Sequence, residues 1–135
     1  MERGIAGAVS ALAAAPLVVA SGLTPSAAGH GTHTQLGLPP CGWMLAFGKP
    51  CPTCGMTTAF ALAVRGHLWD AAATQPAGAL LAVFCAVCVW ISLWTTITGS
   101  RIGPMAYDSI KPGHLWVGLG ILLGAWAYVG AMWVP

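Results

Sequence analysis

The chain has 135 residues, 57% of them hydrophobic and 6% charged, with a formal net charge of +2. A soluble domain averages about 25% charged residues. Five Lys and Arg plus three Asp and Glu therefore do not clothe a water-soluble globule of this size, and the composition points to an integral membrane protein. The basic residues Arg3, Lys49, Arg65, Arg101 and Lys111 stand singly, which argues against a nucleic-acid partner or a polybasic patch.

Residues 4–23 form the first apolar run, and they carry no charge. A bilayer core about 30 Å thick needs about 20 helical residues, so this run is expected to span. Gly4, Ala8, Ala11 and Ala15 form a small-residue stripe suited to close helix approach, and Pro16 is expected to kink the helix. The rival is a cleaved signal peptide ending near Ser26-Ala27-Ala28. The run exceeds the usual apolar core of roughly 7–15 residues, and Glu2 offsets Arg3, so a retained helix is the expectation.

Residues 24–50 read as a polar loop containing His30 and His33, with a short apolar patch at Trp43, Met44, Leu45 and Phe47. Trp43 and Lys49 suit the membrane interface. Residues 51–76 carry the Cys motif and one or two short interfacial helices. The first should run from Met56 to Val64 and stop at Arg65-Gly66, a cation followed by a helix-ending glycine. The second should run from His67 to Gln75. Pro76 is placed for the first turn of the next helix.

Residues 77–97 give the second span, 98–113 a loop, and 114–134 the third span. Gly120 and Gly124 form a G-x-x-x-G pair on the third, with Trp116, Trp126 and Trp133 along it. His114 reads as an interfacial anchor. No charge lies inside a span, so the usual mark of an ion or proton pathway is missing. The expected fold is a single all-α membrane domain of three transmembrane helices, with short interfacial helices carrying the Cys motif. With the N-terminus cytoplasmic, Arg3, Arg101 and Lys111 lie inside and Lys49 and Arg65 outside. That count places the Cys motif on the extracytoplasmic face.

The motif itself is Cys51-Pro52-Thr53-Cys54-Gly55-Met56-Thr57-Thr58-Ala59. With Cys41 before it, Gly66 after it and then Gln75-Pro76, it resembles DUF2752, an uncharacterised family of small bacterial membrane proteins. The resemblance runs from Cys41 to the end of the second span. It implies a multi-spanning protein of the bacterial inner membrane with the motif at its surface, and implies no activity. Many members have Arg where this chain has Thr58, an acid at His67 and Asn at Gln75. Any role of that arginine is absent here.

Two thiolates three residues apart, followed by a glycine, suit a metal knuckle. Cys41, Cys51 and Cys54 are the candidate ligands, with His30 or His33 as a fourth and zinc as the ion. A C-x-x-C pair at a helix N-terminus also suits redox chemistry. A structural Cys51–Cys54 or Cys41–Cys51 disulfide fits an outward face. The plainest reading makes Pro52, Gly55, Thr57, Gly66 and Pro76 parts of a rigid turn, with Thr57 and Thr58 hydroxyls bonding backbone. Cys85 and Cys88 lie mid-span and behave as small hydrophobes. Arg65 and Asp70 are placed to pair. No catalytic constellation is evident. The functional expectation is thus a non-enzymatic scaffold or accessory subunit, bound to lipid and to a membrane partner or a second copy. The alternative is a thiol-disulfide or metal-handling protein using Cys51 and Cys54.

Overall fold

A computed structural model describes residues 2–100, 105 and 111–132. Arg101, Trp133 and Val134, which entered the reading of the loop and third span, lie outside the described residues. The described residues fold mainly into helices and contain no strand. The elements are α1 (Glu2–Ser21), a 3-10 turn (Thr32–Leu36), α2 (Gly42–Phe47), α3 (Met56–Ala63), α4 (Leu68–Thr74), α5 (Pro76–Thr98) and α6 (Gly113–Met132). Helices α1, α5 and α6 are long and apolar enough to cross a membrane.

Antiparallel pairing of α1 with α5 forms the frame. Its lower-exposure face is Ala6, Gly7, Ser10, Ala13, Ala14, Leu17 and Ala20. The expected stripe of Gly4, Ala8, Ala11 and Ala15 is instead exposed. The helix carries small residues on more than one face, so spacing alone did not choose between them. The packed face is the one that ends in Leu17 and Ala20, which meet Phe60 and Ala82. The partner face of α5 is also small, with Ala77, Gly78, Ala79, Ala82, Ser92 and Thr95 buried. Small residues let helices approach closely where lipid offers no hydrophobic drive for association. Helix α1 continues through Pro16.

Both ends of the pair are tied by arginine. Arg3 Nε donates to Thr96 O and its Nη2 to Ile97 O, each at 2.9 Å. At the other end Arg65 donates to Ala61 O at 2.7 Å, Ser21 O at 3.3 Å and Ala20 O at 3.5 Å. Each cation thus meets the last-turn carbonyls of a long helix, which lack intrahelical donors and carry the negative end of the dipole. Arg65 does not pair with Asp70. Asp70 sits 3.5 Å from His67 Nδ1, an exposed pair expected to contribute little.

The hub is α3. Thr58, Ala59, Phe60 and Ala61 are all buried, and four consecutive buried residues leave an α-helix no free face. Ala59 packs with Ala71 of α4 and Ala79 of α5. A Cβ placed on Gly78 would come 3.0 Å from Ala59 Cβ and 3.3 Å from Met56 Cα, so only glycine allows α3 to lie this close to α5. Arg65 and Gly66 end the helix, with Gly66 at φ +83.

By contrast α6 is nearly free of the bundle, with Ala125 its one buried residue. It leans in through its C-terminal half, where Trp126 Nε1 donates to Pro50 O at 3.1 Å. The C-terminal ends of α1 and α6 and the N-terminal end of α5 therefore gather around the Cys motif.

Replacing Gly78 with leucine should destabilise the protein by about 1–3 kcal/mol, the usual cost of overpacking. Thermal unfolding in detergent would show it as a lowered Tm. Gly118→Leu, where nothing lies within 4 Å of the added Cβ, should leave Tm unchanged or raise it.

Candidate metal centre

Two overlapping turns build the motif. Cys54 N donates to Cys51 O at 3.0 Å and Met56 N to Thr53 O at 3.1 Å. Gly55 then opens α3 with φ +85. An added Cβ there would lie 2.9 Å from Gly29 O, so both the left-handed backbone and the space require glycine. The turn brings Cys51 Sγ within 3.2 Å of Cys54 Sγ. Cys41, from the start of α2, adds its Sγ 3.7 Å from that of Cys54. All three sulfurs lie within 4.8 Å of one another.

The spacing can be compared with what an ion requires. Two thiolates each 2.3 Å from a tetrahedral zinc stand about 3.8 Å apart. A disulfide needs about 2.05 Å. The observed separations fall near the first value, and all five cysteines are free thiols. The donor set of three soft sulfurs fits zinc or another thiophilic ion.

Neither His30 nor His33 joins the three sulfurs within that radius. His30 lines a cavity of about 280 Å³ together with Cys54, Gly55, Tyr128 and Met132. His33 Nε2 is 3.2 Å from Pro39 O.

The thiols are electrostatically unequal. Burial raises Cys51, but hydrogen bonds from the Thr53 hydroxyl, the Cys54 thiol, the Thr53 backbone and the Cys41 thiol outweigh it and hold Cys51 at about 7. Cys54 is 8% exposed. Burial first, and then the neighbouring Cys51 thiol, push it up to about 12. Cys51 N–H donates to Cys54 Sγ at 3.2 Å, partly offsetting that rise.

Side chains around the motif hold its backbone. Gln75 is fully buried, and its amide donates to Pro52 O at 3.1 Å, with Cys54 O at 3.5 Å. Its Oε1 is buried without a donor, a cost of about 1–3 kcal/mol carried beside the thiols. Pro76 follows as the first residue of α5. The Thr58 hydroxyl bonds Thr32 Oγ1 at 2.8 Å rather than backbone, and Thr32 Oγ1 also accepts from Ser26 N at 3.0 Å. Gln35 bonds both backbone groups of Thr24, at 2.9 and 2.7 Å. The loop over α3 is thus pinned by residues whose spacing gave no periodic signal. Cys85 packs against the Ala20–Phe60–Ala82 cluster, away from the three thiols.

Alkylation should distinguish the thiols by pH. In metal-free protein the labelling rate at Cys51 should rise through about pH 7 and then level, because the thiolate is the nucleophile. Cys54 should resist labelling up to pH 9. Site-resolved mass spectrometry would read both, and a Cys51 rate still climbing past pH 9 would contradict the assignment.

No curated protein and no solved structure matches the chain. Residues 41–89 match the family model described as protein of unknown function (DUF2752). That segment holds α2, α3, α4 and the first half of α5, so the resemblance carried by the Cys motif is borne out over the part of the fold that builds the thiol cluster.

Proposed function

We propose that the protein is a non-enzymatic membrane scaffold whose Cys41, Cys51 and Cys54 hold one thiophilic ion, zinc being the best fit. The observation that carries this reading is the convergence of three sulfurs within 4.8 Å from two segments of chain. The ion would act as a staple, closing the loop between Cys41 and Cys51 and fixing α2 relative to α3. His30 is our fourth ligand, because it borders the same cavity as Cys54. The scaffold would sit in a bacterial inner membrane. The balance of Lys and Arg supports an extracytoplasmic Cys face. It would serve a membrane partner or a second copy, for which Gly120 and Gly124 leave open space on α6.

A second reading is favoured by the 3.2 Å approach of Cys51 to Cys54. In it, the Cys51 thiolate attacks one sulfur of a partner protein's disulfide and releases the partner's other thiolate. Cys54 then displaces the partner from the mixed disulfide. The Cys51–Cys54 bridge is left oxidised and the partner holds two thiols, having received the two protons.

Metal analysis with free-thiol counting, on protein purified with and without oxygen, separates the two. The scaffold reading expects one zinc per chain and three thiols protected until a chelator is added. Cys51→Ser/Cys54→Ser should lose the ion. Zinc at 100 times its Kd should stabilise the fold by about 2.7 kcal/mol, and chelation should lower Tm accordingly. Loss of two thiols in air with no bound ion would favour the exchange reading. Five reactive thiols and no ion under both conditions would defeat both.

A further inference from the structure

Helix α2 carries Trp43, Met44, Leu45 and Phe47, yet none of its residues is buried. Leu45 is 75% and Phe47 65% exposed. Its neighbours in sequence are Cys41 on one side and Gly48, Lys49 and Pro50 on the other, so it projects as a short hairpin. In a chain with three potential spans, three exposed apolar side chains, Trp43, Leu45 and Phe47, at the end of the bundle belong in the acyl–headgroup boundary.

Between this hairpin and α6 lies a cleft of about 690 Å³, bordered by Trp43, Phe47, Lys49, Pro50, Trp126 and Gly130 among others. Its volume is within the range of about 300–1,000 Å³ typical of small-molecule sites. The Trp43 and Phe47 rings form one wall, 5.0 Å apart and tilted by 50°. The bond from Trp126 Nε1 to Pro50 O, at 3.1 Å, joins the two sides. The lining is otherwise apolar and carries one charge, the exposed ammonium of Lys49. Among the described residues the single ion pair is His67–Asp70, so no described carboxylate neutralises Lys49.

We propose that this cleft binds one anionic phospholipid, with its phosphate on Lys49 and an acyl chain between the Trp43–Phe47 wall and α6. One end of the cleft is cationic and the rest apolar, and that polarity matches an amphiphile with a negative head. The aromatic wall would hold the chain where an indole rests comfortably, at headgroup depth. The cleft shares no lining residue with the three thiols.

Native mass spectrometry of the full-length protein, released from micelles doped with phosphatidylglycerol or phosphatidylcholine of identical acyl chains, tests the proposal. One phosphatidylglycerol should be retained per chain, about five-fold in preference to phosphatidylcholine, the ratio expected from one Lys–anion attraction. Lys49→Gln should bring that ratio to one, and Lys49→Arg should keep it. Brominated phosphatidylglycerol should quench tryptophan emission in the wild type, and less so in Trp43→Phe/Trp126→Phe. Equal retention of the two lipids by the wild type would overturn the proposal. So would a preference that survives Lys49→Gln, or a lipid-free dimer in which a second copy fills the cleft.

Discussion

Any side chain at position 78 would compete for space with the Cβ of Ala59, 3.0 Å away, and that restriction underlies the rest of the architecture. With glycine there, an eight-residue helix lies flush against α5, with its central residues Thr58, Ala59, Phe60 and Ala61 buried. Its N-terminus then points the Cys turn at the loop above, where Gly55 touches Gly29. Its C-terminus delivers Arg65 to the end of α1. One missing side chain thus positions both the thiols and the cation. The energetic character is that of a membrane protein, with packing of Ala, Gly, Ser and Thr in place of a large aliphatic core.

The thiol cluster draws on a different set of contacts. Cys51 and Cys54 are set by local turn geometry, which the motif largely dictates. Cys41 comes from the far end of α2, ten residues before Cys51, and its sulfur reaches within 3.7 Å of that of Cys54. The buried amide of Gln75 fastens the turn from below by donating to its carbonyls.

Much of this was legible in the residues. A bilayer requires about 20 apolar residues per span, so three uncharged runs announce three helices. Proline, glycine and paired cysteines announce the turn between them. Other features had no such signature. Helix α1 offers several small faces, and its fit against Ala82 of α5 and Phe60 of α3 decides which one packs. The six residues of α2 are too few for a periodic signal. The pairing of Thr32 with Thr58 joins hydroxyls 26 residues apart, and Trp126 meets Pro50 across 76 residues. Spacing along the chain carries no information about contacts of that range. Asp70 found His67, three residues away, while Arg65 is committed to the carbonyls of Ala61, Ser21 and Ala20.

The two arginines also bear on how this molecule can move. Arg3 grips the end of α5, and Arg65, from the α3 side, grips the opposite end of α1. Sliding α1 along α5 by one turn, about 5.4 Å, would pull both guanidinium groups beyond hydrogen-bonding reach together. The pair therefore behaves as a strut of fixed length, resisting shear along the membrane normal. Pivoting is left to α6, which rests on the others through one short stretch near Trp126.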